Sequence, residues 1–231
     1  MENEETEGVI LQIIKDYLNK NRVFNAKEII PHIMNRIGEF NLTNPPNENG
    51  IELILWKFIR EHICVPGSKL TIYNLLENDT RKSLFNHINK YPGTHLRELM
   101  EKLQLTSSSA MWHLNMLIRF GVIRSAKIGK YKAFYNGELP ETLDKEIFHL
   151  GNKKINEIIQ ALFMSTNGLT INQLAEQINY NYNTVNKKLH ILNEMLMLYQ
   201  KEENGQVYYL LNRDKFKEIM DGIEQLTAAN Q

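Results

Sequence analysis

The chain has 231 residues, 42% hydrophobic and 23% charged, and its 27 basic residues balance its 27 acidic ones to a formal net charge of zero. This composition is typical of a folded, water-soluble protein with one large domain or two to three small ones. The sequence has no apolar run of about 18 residues, and its acidic start lacks the basic and then apolar order of a secretory signal, so we expect a cytoplasmic protein without a membrane segment.

Residues 1–70 have the helix order of a winged-helix domain but no sequence match elsewhere in the chain. Apolar residues recur at helical spacing over Val9–Tyr17, Ala26–Ile37 and Ile51–Ile59, and ICVPGSKLTI (63–72) follows as a degenerate wing. The loop NLTNPPNEN (41–49) is long and rich in turn formers. We therefore predict a divergent winged-helix-like domain that reads DNA poorly.

Residues 71–140 contain the clearest helix-turn-helix pattern. Hydrophobic periodicity predicts three helices and then a two-stranded hairpin. Thr106 is placed to cap the third helix. The predicted elements are the helices Thr80–Lys90, His95–Leu103 and Ser107–Phe120 and the strands Val122–Lys127 and Tyr131–Tyr135, joined by a turn at 128–130.

Residues 141–231 repeat this pattern. THLRELMEKLQLTSSSAMWHL, from Thr94, aligns without a gap with LTINQLAEQINYNYNTVNKKL, from Leu169, at an offset of 75 residues. We interpret the two segments as one module used twice, and the whole chain as a mainly α protein with small β-hairpin wings (α+β), built of tandem winged-helix domains. The later elements predicted are the strands Leu198–Glu202 and Gln206–Leu211, the turn Asn204-Gly205 and a closing helix Arg213–Leu226.

The middle segment resembles a known family. YPGTHLRELMEKLQLTSSSAMWHLNMLIRFGVIRSAKIGKYKAFY (91–135) is similar to the winged helix-turn-helix transcriptional regulators common in archaea, close to the ArsR and MarR types. The similar features are a Pro-Gly turn, a Ser/Thr-rich start of the recognition helix, a His-Leu pair and a basic wing. The resemblance covers 79–136 well, 152–212 less strongly and 1–70 only in element order. It implies a transcription regulator that binds duplex DNA through the middle domain.

The distribution of charge agrees with that implication. Residues 67–137 carry 11 Lys/Arg against 4 Asp/Glu, whereas residues 1–66 carry 7 against 10 and residues 138–231 carry 9 against 13. The positive charge that attracts a phosphate backbone is therefore concentrated in the middle domain.

The third helix of this domain presents a candidate recognition face. At about 100° per residue, Ser108, Trp112, Asn115 and Arg119 share one side, opposite the apolar side. We predict that Asn115 and Arg119 read base edges and that the serines bind phosphate with the free amides of the helix start. The predicted DNA contacts on the helix and wing are Thr106, Ser107, Ser108, Ser109, Trp112, His113, Asn115, Arg119, Arg124, Lys127, Lys130, Tyr131 and Lys132.

These residues also have plainer interpretations. Arg119 and the wing lysines can form a solvated basic face, the serines can be simple helix caps, and His113 can lie at the edge of the core. Trp112 is a poor base reader, and an exposed indole equally indicates contact with another domain or a second subunit.

The equivalent helix of the last domain offers a weaker set of contacts. Glu202 and Glu203 place negative charge at its wing tip, so we expect this domain to assist DNA binding weakly or to mediate dimerisation. The secondary DNA contacts predicted are Asn183, Thr184, Lys187 and Lys188.

No pattern in the sequence indicates catalysis. There is no phosphate-binding glycine loop, GxSxG elbow, HExxH motif or pair of carboxylates near a histidine, and Cys64 as the single cysteine excludes an internal disulfide. We expect a protein that is not an enzyme and has no cofactor or metal. We expect its partner to be double-stranded DNA, with a homodimer or another protein partner left open. The alternative is a winged-helix scaffold that binds proteins, as in ESCRT and RNA polymerase subunits.

Overall fold

The computed structural model describes residues 2–20 and 22–228; the remaining positions of the predicted first and last domains lie outside it. The helices are α1 (Glu2–Asn19), α2 (Ala26–Arg36), α3 (Glu48–Arg60), α4 (Asp79–Lys90), α5 (Leu96–Leu103), α6 (Ser107–Arg119), α7 (Asp144–Leu150), α8 (Lys153–Met164), α9 (Ile171–Gln177), α10 (Tyr182–Glu194) and α11 (Arg213–Ala228). The strands are β1 (Thr94–His95), β2 (Ile123–Ile128), β3 (Tyr131–Asn136), β4 (Leu198–Glu203) and β5 (Gln206–Leu211). This mainly helical architecture with small antiparallel hairpins confirms the predicted α+β winged-helix fold.

The chain divides into two compact units. The first comprises the chain up to Asn86 together with Leu105–Ile123, and the second comprises His87–Gln104 together with the chain from Arg124 onward. Within the described ranges, no helix combines the length and the apolar character needed to cross a bilayer.

The first unit has a helical core formed by α1, α2 and α3. Each helix buries an apolar stripe, and Ile10, Ile14, Ile29, Ile33 and Leu55 are almost fully inaccessible to solvent. Truncating any one of these side chains to alanine is expected to cost roughly 2–5 kcal/mol.

The predicted degenerate wing at 63–72 is reduced to one antiparallel bridge between Cys64 and Thr71. A 3-10 helix, Ile72–Glu77, follows it directly, so no second strand develops. Cys64 is buried, and burial raises the pKa of its thiol to about 12. The thiol therefore stays protonated and packs as a small apolar group.

Both β-sheets lie in the second unit, apart from the first residue of β2. In the first sheet the strand order is β1-β3-β2. In the second, β4 pairs with β5 from Leu198↔Leu211 to Glu203↔Gln206. Asn204 and Gly205 both have positive φ at the turn, as predicted, because a two-residue hairpin of this twist requires left-handed backbone.

The element pattern recurs at the offset found in the sequence. Adding 75 to the bounds of α6, β2 and β3 gives the bounds of α10, β4 and β5. The pairing of Thr94 with Phe134 likewise recurs as the bridge between Leu169 and Tyr209. The repeat therefore extends from apolar positions to backbone pairing.

The helix α3 shares its end geometry with α6 and α10. All three helices are 13 residues long, and the side chains of Asn47, Thr106 and Asn181 cap their N-termini. Two residues beyond the last helical residue the chain turns left-handed, at His62, Gly121 and Leu196. Residues 47–62 therefore repeat this local pattern without the sequence match.

Candidate nucleic-acid interface

The helix α6 exposes the polar face that the sequence predicts. Ser107, Ser108 and Asn115 are exposed, whereas Ala110, Leu114 and Leu117 are buried. The Thr106 hydroxyl accepts a hydrogen bond from the Ser109 N–H at 3.3 Å, which confirms the predicted cap. Ser109 itself is half-buried. The outer face thus combines hydroxyl groups at the helix start with one exposed amide side chain.

Arg119 is exposed, but its side chain is hydrogen-bonded to another part of the protein. Its Nη2 donates a hydrogen bond to the Pro66 carbonyl oxygen at 2.6 Å. A guanidinium has five N–H donors, so this bond fixes the side chain and leaves other donors for a ligand.

Trp112 is 57% exposed, and its ring meets the ring of His113 edge-on at 4.7 Å. An indole with this much exposed apolar surface is available to a base, a sugar or a protein partner.

His113 lies at the edge of the core. It is half-buried, and its Nδ1 has no hydrogen-bond partner among the described residues. Burial, and secondarily the charge of Arg81, lowers the pKa of His113, which keeps the imidazole neutral at neutral pH. Its geometry matches the core-edge interpretation better than a phosphate contact.

The wing formed by β2 and β3 carries an exposed basic surface. Lys127, Lys130 and Lys132 are exposed, and none forms an ion pair with any residue that the structure describes. Tyr131 stacks on His95, with ring centroids 5.2 Å apart and an interplanar angle of 19°. That contact orients the tyrosine beside the lysines.

The prediction that Arg124 contacts DNA requires correction. Its guanidinium makes a bidentate ion pair with the Asp144 carboxylate at 2.7 and 2.8 Å and also donates to the carbonyls of Leu139 and Pro140. The Arg124 and Asp144 side chains are only 17% and 10% exposed. All of these bonds are internal, because the residues after the wing turn back over it, so Arg124 supports the wing and leaves its charge unavailable to DNA.

The secondary DNA contacts predicted in residues 141–231 differ in their exposure to solvent. Asn183 and Lys187 are exposed, while Thr184 is half-buried and its N–H donates to the Asn181 side chain. Lys188 is half-buried and lines a cavity, and burial lowers its pKa, with a smaller effect from Lys154. Lys188 is therefore poorly placed for the phosphate contact that the sequence suggests. At the wing tip, Lys201 pairs with Glu203 at 2.8 Å, which offsets its positive charge.

The outer face of α3 differs in chemistry from that of α6 and was not singled out from the sequence. Leu53 is 72% exposed and Trp56 is 58% exposed. Because α3 and α6 have the same length, Leu53 occupies the position of Trp112, and Trp56 that of Asn115. The sequence does not single out these two residues, because α3 also carries buried apolar residues at neighbouring positions.

The described ranges contain no group of three or more His, Cys, Asp or Glu side chains placed to hold a metal ion.

Comparison with known proteins found similarity to helix-turn-helix proteins. Residues 78–146 match the sequence profile of a family described as an N-terminal HTH domain. The chain is also 32% identical over 143 residues to a protein of Methanocaldococcus jannaschii described as the uncharacterized HTH-type transcriptional regulator MJ1398. That match covers 62% of this chain and 36% of the relative, so the chain spans about a third of the relative's length. The segment that contains α4, α5, α6 and the β2–β3 wing is therefore similar to a known helix-turn-helix domain, which supports a helix-turn-helix regulator.

Proposed function

We propose that this chain is a DNA-binding transcription regulator whose helix α6 and β2–β3 wing each contact duplex DNA. The observation that carries the proposal is the set of three exposed wing lysines, Lys127, Lys130 and Lys132, which have no acidic partner in the described part of the chain. An unneutralised basic strand pair of this kind attracts phosphates and releases their counterions.

The helix α6 supplies the sequence-reading part of the proposal. Asn115 is exposed near the middle of its outer face, and an amide side chain can pair with the N6 and N7 edge of adenine. Ser107 and Ser108 stand beside the free amides of the helix start, where a phosphate oxygen is favoured. Arg119 retains donors beyond the one bound to Pro66 and is the second candidate reader.

The proposal also covers the arrangement of domains in the chain and the weaker DNA contacts outside the middle one. The recurrence at 75 residues supports residues 71–140 and 141–231 as tandem winged-helix domains, and the shared end geometry of α3 supports residues 1–70 as a divergent third. Asn183 and Lys187 are exposed and give the last domain a weak secondary contact with DNA.

A protein-interaction role is the second candidate, favoured by the apolar outer face of α3. Leu53 and Trp56 stand at the positions that Trp112 and Asn115 have in α6, and two such side chains on one exposed helix face are typical of a protein interface. We assign this face to a second copy of the chain, because symmetric homodimers are the commonest assemblies. Sedimentation velocity tests it: the double variant L53S/W56S should sediment as a monomer where the wild type is a dimer, and a monomeric wild type would remove this role.

Fluorescence anisotropy of a labelled duplex, measured from 50 to 300 mM salt, tests the DNA-binding proposal. Charge reversal of the wing in K127E/K130E/K132E should weaken binding to every duplex alike. It should also reduce the salt slope, the steepness with which the logarithm of the binding constant falls with the logarithm of the salt concentration, by about one for each lysine. The matched control K20E/K69E/K217E changes the net charge equally but at scattered exposed positions. Equal loss of affinity in both variants, or undetectable binding of wild-type protein at low salt, would contradict the proposal.

A further inference from the structure

The second unit contains a half-open cavity that no contiguous stretch of sequence could indicate. Its volume is about 740 Å³, within the range of small-molecule sites. Five separate segments line it: residues 90–98, the wing turn at 128–131, residues 145–152, one face of α10 and one face of α11.

One part of the lining is aromatic. Tyr131 stacks on His95, and its ring centroid lies 5.7 Å from that of Phe148. Ile147, Ile191 and Met220 add aliphatic surface to the same cavity. Such a wall favours a ligand with a flat aromatic or aliphatic body.

The charged part of the lining is predominantly basic. The lining contains four lysines and two glutamates, and no ammonium group of these lysines has an ion pair or a hydrogen bond with a residue that the structure describes. Two of the ammonium groups lie over tyrosine rings, Lys90 over Tyr91 and Lys130 over Tyr131. Lys188 is half-buried, so its ammonium group lacks both full hydration and a counter-ion. Glu194, one of the two glutamates, lies 3.3 Å from His190 Nε2. The cavity lysines are Lys90, Lys130, Lys145 and Lys188.

Thr94 also borders the cavity, and it is only 5% exposed. Its Oγ1 has no hydrogen-bond partner among the described residues and is itself inaccessible to solvent. The polar recognition in this cavity therefore rests on the lysines and not on this hydroxyl.

We propose that this cavity binds a small amphipathic organic anion. Its apolar body packs against Tyr131 and Phe148, and its carboxylate or phosphate group is held by the cavity lysines. Because Lys130 and Tyr131 also belong to the wing, an occupant changes affinity for duplex DNA; this consequence rests on the proposed function.

The test uses the full chain and two fluorescent probes, without DNA. The anionic probe 1-anilinonaphthalene-8-sulfonate should bind saturably, and the neutral N-phenyl-1-naphthylamine, which lacks the sulfonate, should bind at least tenfold more weakly, about the ratio that one charged hydrogen bond supplies. K188M should weaken binding of the anionic probe about tenfold, by the same reasoning. K217M, an exposed lysine on α11 outside the cavity, is the matched control.

Equal binding of the two probes, or equal affinity of K188M and K217M for the anionic probe, would overturn the proposal. Thermal melting followed by circular dichroism verifies that each variant is folded. Displacement of the probe by 2-naphthoate or by 2-naphthyl phosphate supports the site and distinguishes its preferred head group, whereas displacement by neither overturns it. A duplex titration with and without saturating probe then tests the coupling separately, so failure of DNA binding and failure of the cavity site give different results.

Discussion

Replacing Arg124 by methionine separates a structural role from a DNA contact. The variant R124M removes a bidentate ion pair and two hydrogen bonds to carbonyl oxygens, and it leaves the Asp144 carboxylate, 10% exposed, without its partner. Breaking one side of a buried ion pair costs roughly 3–5 kcal/mol, and the residual exposure of this pair favours the lower end, about 3 kcal/mol. With a urea m-value of about 2 kcal/mol/M, the unfolding midpoint should fall by about 1.5 M.

Urea unfolding followed by far-UV circular dichroism measures this shift, and R97M is the matched control. Arg97 pairs with Glu101 on the surface at 2.8 Å, and solvent screens such a pair, so its loss should leave the midpoint unchanged. At low temperature, where R124M is folded, the salt slope of duplex binding should equal that of the wild type. A midpoint shift below about 0.5 M, or a salt slope lower by about one, would refute the internal role assigned to Arg124.

Three further outcomes are expected. Leu196 adopts positive φ where an L side chain is strained, so L196G should raise the free energy of unfolding by roughly 1 kcal/mol in urea titrations; a destabilised variant would contradict this. N115A should change the ranking of duplexes by affinity in a competition assay while preserving the salt slope. A uniform loss of affinity across sequences would show that Asn115 contacts the DNA backbone instead of a base. Burial lowers the pKa of His87 and of His113 below the ordinary 6.5, so the unfolded chain takes up protons first and stability should fall as the pH decreases below about 6.5. The variant H87Q/H113Q should lose part of this pH dependence of stability, measured as urea midpoints at pH 7.5 and 5.5. An unchanged pH dependence would exclude both histidines as its source.

Much of the local structure could be predicted from the sequence, because its causes are local. Thr106 caps α6 through an atom three residues away, and Asn204-Gly205 forms its turn because those residue types tolerate left-handed backbone. The outer face of α6 follows from helical geometry alone, so the exposure of Asn115 agrees with its position on the helix.

The partners of the long basic side chains were decided only by tertiary structure. Arg124 has the sequence position of a wing residue, but Asp144, 20 residues further on, binds it, and Arg119 donates to Pro66 across 53 positions. Lys188 lies on the predicted helix but is half-buried beside the cavity. A sequence shows that a lysine or arginine is charged, but the net effect of that charge depends on burial and on partners from distant segments.

The sequence by itself therefore determined the winged-helix order of elements, the 75-residue repeat and the basic character of residues 67–137. The tertiary structure decided which basic groups stay available to a ligand and brought five segments together around one cavity. The physical reason is range: capping, turns and helical periodicity act within a few residues, whereas burial and ion pairing depend on chain segments that only the fold brings into contact.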